Sequence, residues 1–417
     1  MSDSYDYIIA GGGCAGMSLA YYFLQDEYFW DKRILLVEKD AKAKQDKTWC
    51  YWSQEIPRFK SAGKVSWNQF AVGNTSDTLN FTISPYSYFH INSLDFHREI
   101  QGLIETSSNI SYLQASITNI EEGIDKVIVA TNRGNYESAY VFSSLPGKII
   151  QEPQKYHYLK QHFLGWEISC QQEIFDKETV QLMDFNHPGL ENSFFYLLPF
   201  SSQNALVEFT VFSEELLSEE AYESQLKAYI EEKLGIRNYT IGYRENGIIP
   251  MYNQRLSPNR NGKRQILLGT TGGCSKSSKG YTFDRIQEQS KVIVSSLKRN
   301  GDPIYSLKSK SRFNIYDTLL LNIIKYQPEL IPHIFLSLFK QNSPEKVLKF
   351  LDEKTSLWEE ASIFLRLPWP PFFRAIQREF LQRLSYILSR PQISLRFPLF
   401  NSSFNNRLSE AHEHPSR

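Results

Sequence analysis

Gly11, Gly13 and Gly16 form a G-x-G-x-x-G array between the apolar run Tyr5 to Ala10 and a helix-forming stretch from Ala15 to about Gln25. The first glycine permits a tight turn, the second lets the backbone approach a pyrophosphate, and the third allows close helix-to-strand packing. The helix start then offers free N–H groups and the positive end of its dipole to an anion. A second apolar strand, Arg33 to Glu38, ends in a carboxylate 22 residues beyond Gly16. That is where a dinucleotide-binding βαβ unit accepts ribose hydroxyls. The glycines alone would be a weak signal. Strand, glycines, helix, strand and terminal acid in this order predict a bound dinucleotide, with Gly11, Gly13, Ala15, Gly16 and Glu38 as its contacts.

The remainder of the 417 residues is long enough for a second, closely packed domain. Between 160 and 250 the runs FLGWEIS, TVQLMDF, SFFYLLPF, NALVEFTVF and IGYRENGIIP follow one another, with one helix near Glu215 to Leu234. Consecutive strands of this kind predict an antiparallel sheet. RQILLGT then returns to the parallel sheet, and Phe283 to Lys298 reads as a helix. A further helix around Ser93 to Ile104 has Ser93 and Asp95 as candidate caps. The expected class is α/β (α+β). A Rossmann-type cofactor domain (1–160 and 240–310) is interleaved with an antiparallel substrate domain (161–239). A helical region (311–390) and a loose tail (391–417) follow.

Composition narrows the function. With 46 basic and 46 acidic residues, no global field draws nucleic acid. The four cysteines, Cys14, Cys50, Cys170 and Cys274, contain no C-x-x-C pair, which argues for reduced thiols and against a disulfide framework or a zinc site. No signal-peptide pattern precedes the first strand, and no apolar run reaches the roughly 18–20 residues of a membrane span. A cytoplasmic protein with, at most, peripheral membrane contact is expected. The 28 Phe, 24 Tyr and 7 Trp supply core and suit a long apolar channel.

An N-terminal fingerprint, a long interruption and a late parallel strand ending at Leu268-Gly269-Thr270 resemble the FAD superfamily that includes aromatic hydroxylases. There is no second G-x-G-x-x-G, hence no dedicated nicotinamide domain. The ordered segments DKTWCYW (46–52), FLGWE (163–167), MDF (183–185), VEFT (207–210) and GTTGGCSKSSKGYTF (269–283) resemble the lycopene cyclase family more narrowly, as do RFNIYD (312–317) and FLD (350–352). The resemblance spans roughly Ser4 to Leu388. It implies FAD, active when reduced, with NAD(P)H or a membrane donor as electron source. It also implies lycopene and related linear carotenes as substrates, a membrane surface as partner, association with other carotenoid enzymes, and closure of the carotene ends to β-ionone rings without net redox change.

Residue by residue, the family's essential acid falls on Glu208. Strand alternation puts Glu208 and Thr210 on one face with Leu206 and Phe212. A carboxyl among such neighbours is raised in pKa by desolvation, as a general acid at neutral pH requires. A solvent-facing strand glutamate is the bland alternative. The family often carries a second acid next, and here that position is Phe209, aimed at the opposite face. Asp184 is implied to line the same site, where it would position Glu208, raise its pKa or take the final proton; a strand-end carboxylate on a backbone N–H explains it otherwise. Trp49, Trp166 and Thr210 are the expected substrate- or cation-facing residues, with core packing or flavin contact the alternative for Trp49. Gly269, Gly280 and Tyr281 are expected at the flavin. Lys276 and Lys279 would stabilise an anionic flavin or be solvated, and Ser277 and Lys279 depart from the family pattern.

Apolar stripes from Leu319 to Phe373 flanked by Lys and Arg read as core, or as a surface that extracts an apolar substrate from a bilayer. Two other readings stay open. One is a related FAD oxidoreductase (a prenyl reductase or a monooxygenase), although hydroxylases carry Gly-Asp where Gly269 is followed by Thr270. The other is a carotenoid-binding flavoprotein without catalysis.

Overall fold

The computed structural model describes residues 3–41, 44–63, 65–74, 77–147, 152–185, 191–254, 262–276, 280–303 and 310–389. The tail from 391, and with it Ser277 and Lys279, lies outside the described residues.

The first strand, Asp3–Ala10, pairs in parallel with Ile34–Glu38 on one side and Gly134–Ser143 on the other. Ile110–Gln114 extends the sheet beyond Ile34–Glu38, also in parallel. Strand Gly134–Ser143 is shared along its length. Its first half pairs antiparallel with Val127–Thr131, and Val141–Ser143 pair in parallel with Gln265–Leu267. Both faces of this sheet are covered, so its inner strands read as unbroken apolar runs. Ile8, Ile9, Ala10 and Leu36 are fully buried. Helices Cys14–Leu24 and Phe283–Asn300 pack together on one face, around Phe23, Phe142, Ile266 and Ile293.

The second sheet runs in the order Tyr239–Tyr252, Tyr158–Cys170, Asn204–Ser213, Ser193–Pro199, Thr179–Asp184, Gln69–Gly73, Thr78–Thr82. It is antiparallel except where Thr179–Asp184 meets Gln69–Gly73. Its membership departs from the expected segmentation at two places. Tyr239–Tyr252 pairs with Tyr158–Cys170 along its whole length, and Gln69–Gly73 with Thr78–Thr82 crosses over from the cofactor segment. These strands satisfy their backbone groups on the second sheet, a long-range choice that local patterning does not encode.

One face of the second sheet is covered by helix Glu219–Ala228 and the π-turn Tyr229–Lys233, over Leu164, Trp166, Phe195 and Phe209. The other face meets the C-terminal helices Ser311–Tyr326 and Ile331–Lys340 through Leu206, Phe212, Leu321 and Phe335. A small sheet of Thr48–Ser53, Ser87–Asn92 and Val65–Trp67 stands between the two large ones.

The helix Ser93–Glu105 is capped by Asn92, whose side chain accepts from the N–H groups of Leu94 and Asp95 at 2.9 and 3.3 Å. The expected cap Ser93 has another task. Its hydroxyl accepts from the Asp46 and Lys47 N–H groups and donates to the Asp46 carboxylate.

Candidate active site

The glycine turn is built as its sequence requires. Gly11 has φ +101°, open to glycine at low cost. A Cβ on Gly16 would stand 1.9 Å from the Gly11 carbonyl oxygen, so helix and turn touch through bare backbone. At Gly13, by contrast, no heavy atom lies within 4 Å of where a Cβ would be. Gly13 is the N-cap of helix Cys14–Leu24, adds no side-chain hydrogen bond to the first turn and leaves open space beside it. Late in the chain, Gly269 (φ +60°) brings the end of the parallel strand against Ala15, 2.9 Å from a built Cβ. These are the features a pyrophosphate cradle needs, and they fit a dinucleotide.

Glu38 is buried and accepts from the Gly12 N–H at 2.6 Å and the Asp40 N–H at 3.0 Å, so part of its capacity clamps the turn itself. His97 clamps the same loop from the other side. Its two ring nitrogens bond the carbonyls of Ser93 (2.6 Å) and Gly12 (2.9 Å). Sequence reasoning did not single out His97; the signal available was a histidine one helical turn after Ser93.

From this turn a cavity of about 440 Å³ runs between the two sheets toward the C-terminal helices. Gly13, Cys14, Trp49, His97 and Thr270 line its beginning, Tyr196, Glu208, Glu245 and Tyr281 its middle, and Leu320, Ile324 and Phe335 its far end. Trp49 lies at the glycine-turn end, stacked near Phe283 and edge-on to Phe96. Gly280 (φ +69°) and Tyr281 precede helix Phe283–Asn300, where Thr282 adds no side-chain hydrogen bond to the first turn. That helix start also faces the cavity through Thr282 and Phe283.

Glu208 is 9% exposed and sits in the middle of the strand Asn204–Ser213. Thr210, two residues on, donates its hydroxyl to Glu208 Oε1 at 2.8 Å. Burial raises the proton affinity of the Glu208 carboxyl far above the usual range, the Glu245 carboxyl adds to this, and the Thr210 hydrogen bond opposes it. Thr210 is fully buried and holds the acid; it does not line the cavity.

Two expected members of the site lie elsewhere. Trp166 pairs with Val207 and Asp184 with Phe195, which puts both on the opposite face of the sheet from Glu208. The Arg244 guanidinium covers the Trp166 ring at 5.2 Å, and Asp184 accepts from the Tyr229 hydroxyl at 2.7 Å. A register shift between Gln181 and Asp184 turns Asp184 away while Met183 stays on the cavity. Phe209 also faces that side, against Phe195. Lys276 is committed to Glu353, with Asp317 4.0 Å away, so its charge is already matched by carboxylates.

The structure adds polar groups that the sequence did not mark, Tyr88 and Tyr196. Tyr88 bonds both Tyr196 (2.7 Å) and Tyr281 (2.8 Å) through their hydroxyls. Burial pushes the Cys50 thiol beside them up to about 12, so it stays neutral. Among the described residues no cluster of His, Cys, Asp and Glu is arranged to hold a metal ion.

Comparison with known proteins follows this geometry. Solved structures share the fold at low identity. A geranylgeranyl bacteriochlorophyll reductase-like protein from Thermoplasma acidophilum aligns with TM-score 0.56 and 10% identity over 93% of this chain and 99% of its own. A flavoprotein/dehydrogenase from Cytophaga hutchinsonii gives 0.57 and 10% over 92% and 100%. A halogenase solved with phloroglucinol and FAD gives 0.52 and 13% over 93% of each chain. A search of curated proteins returns no match. A family model described as lycopene cyclase protein matches residues 6–377, nearly the whole span from the first strand to the last helix, and the chain belongs to that family.

Proposed function

We propose that this protein is a lycopene β-cyclase: it holds FAD and closes the linear ends of lycopene to β-ionone rings with no net redox change. The observation that carries the reading is Glu208, a buried acid of raised proton affinity halfway along an apolar cavity that begins at a dinucleotide-binding turn. Gly11, Gly13, Ala15 and Gly16 would hold the pyrophosphate, Glu38 the ribose, and Gly269, Gly280 and Tyr281 the flavin end. Reduced FAD, when bound, supplies an electron-rich surface that stabilises a nearby cation, and NAD(P)H is the reductant we assign to it.

The chain's own part is proton management. Glu208 gives its proton to the terminal double bond of the carotene, leaving a tertiary cation on the substrate. The neighbouring double bond attacks it to close the ring. A ring proton then leaves, and we assign its uptake to Glu208 as carboxylate, so no proton is consumed. The apolar walls keep water from capturing the cation.

The substrate's home is a bilayer. Trp369, Phe373, Ile376, Phe380, Leu384 and Ile387 stand exposed along helix Trp369–Ser389, beside exposed Arg374 and Arg383, and the helix's one acid, Glu379, is buried against His157 and Asn322. An apolar face edged by cations and free of exposed acid complements an anionic membrane surface, and we assign it that partner. No helix among the described residues is long and apolar enough to cross a membrane.

Expression in cells that accumulate lycopene, followed by pigment chromatography, tests the reading. A dicyclic carotene is expected. An unchanged pool would reject the function, and full cyclisation by Glu208→Gln would reject the acid.

A further inference from the structure

Glu208 does not stand alone. Gly165, on the strand Tyr158–Cys170, pairs with Glu208 on one side and with Glu245 on the other. All three therefore share one face of the sheet, and the central position has no side chain. A Cβ built on Gly165 would lie 3.6 Å from the Glu208 Cβ, 3.3 Å from the Glu245 Cγ and 3.3 Å from Leu206. The two glutamates thus lean over the same bare glycine. Both are nearly buried, at 9% and 5% exposure, and both line the cavity.

Their support is unequal. Burial raises the proton affinity of Glu245 as it does that of Glu208, but hydrogen bonds from the Thr48 side chain and backbone and from the Tyr243 hydroxyl at 3.2 Å, with the Lys47 ammonium nearby, oppose the rise and favour its charged form. Glu208 has the Thr210 hydroxyl alone among these. The other titratable groups near the pair are Cys50, Tyr196 and Tyr281, all kept neutral by burial. Glu167, its proton affinity raised by burial, is on the same sheet face beside Leu206 and Tyr243, and Asp46 is on the cavity wall. Two buried carboxyls this close cannot both ionise cheaply, and the better-supported one takes the charge.

We propose that Glu245 is a positioning residue that stays ionised across Gly165 and thereby keeps the proton on Glu208. This rests on the cyclase reading for its purpose, but not for its test. In the cycle the proton leaves a Glu208 oxygen for the alkene carbon, an equal proton returns from the ring carbon, and Glu245 exchanges none.

Infrared difference spectroscopy of the purified protein reads the protonated Glu208 carboxyl directly; the band is assigned by its loss in Glu208→Gln. Its pH titration needs no carotene. Glu245→Gln removes the opposing charge, and the midpoint is expected to fall by about one pH unit, a tenfold loss of proton affinity. Glu245→Asp, which keeps the charge one methylene further back, is expected to fall between it and wild type. If Glu245→Gln does not fold, the Asp variant decides alone. A midpoint unmoved in the folded variants overturns the proposal, whether or not the protein cyclises lycopene. In the cyclisation assay the alkaline limb of the kcat profile should move with the midpoint; a uniform loss of activity with no movement of that limb would mark Glu245 as merely structural.

Discussion

Replacing Glu208 by Gln tests the electrostatics of the cavity through stability alone. Burial, then Glu245, raise the proton affinity of the folded-state carboxyl above neutrality, and Thr210 offsets only part of this. Above an unfolded value near 4.5 the unfolded chain releases this proton, whereas the folded chain keeps it until the raised value is reached. Across that window the folded state binds more protons, so stability falls as pH rises. Gln is neutral in both states and escapes the loss. At pH 7 the gap is two to three units at about 1.36 kcal/mol each, or roughly 3 kcal/mol in favour of the variant. With unfolding entropy of about 2.1 cal/mol/K per residue over 417 residues, that is a Tm gain of roughly 3 °C. Thermal unfolding of both proteins from about pH 4 to pH 8 reads it. The gain should vanish at the acid end and grow toward the alkaline end. A difference flat in pH, or a wild type that gains on the variant as pH rises, would refute the assignment of a buried, proton-holding acid.

Three further outcomes are expected. Gly16→Ala drives a methyl to 1.9 Å from the Gly11 oxygen, and the purified protein should lose its flavin absorbance together with about 1–3 kcal/mol of stability. Asp184→Asn weakens the bond from Tyr229 on the far side of the sheet. It should lower stability by about 1–2 kcal/mol, measured by urea unfolding, while kcat stays within about twofold. Changing Trp369, Phe373 and Phe380 together to Ser should cut co-sedimentation with anionic vesicles at least tenfold and leave Tm nearly unchanged, since these side chains are 47–66% exposed.

Much of the cofactor half was legible because its physics is local. A tight turn, a close helix and a terminal acid all fall within the first 38 residues, and each demands a residue type. The surroundings of Glu208 were legible for a similar reason, since alternation within one strand fixes which of its neighbours share its face, whereas Glu208 itself was singled out by the family resemblance. What alternation cannot give is the phase between strands. The family resemblance implied Trp166 and Asp184 beside Glu208, but pairing with Val207 and Phe195 turns them to the other face. Glu245 was missed for the converse reason. It lies two strands from Glu208, and its partner across the gap is the absence of a side chain at Gly165. A skipped residue at Gly242 also breaks the strand's alternation before Glu245 is reached, since Glu167 pairs with Tyr243 and Ile168 with Ile241.

The sharing of strand Gly134–Ser143 between early and late segments bears on how the protein is made. The glycine turn leaves the ribosome about 250 residues ahead of the strand Gln265–Leu267 and the helix Phe283–Asn300 that complete its surroundings. At about 5–20 residues per second that interval is roughly 15–50 s. During it the nascent chain carries an unpaired sheet edge and the bare apolar side of helix Cys14–Leu24. The cofactor thus has no completed pocket to enter until the segment from Gln265 to Asn300 has been made, and its capture waits for that segment.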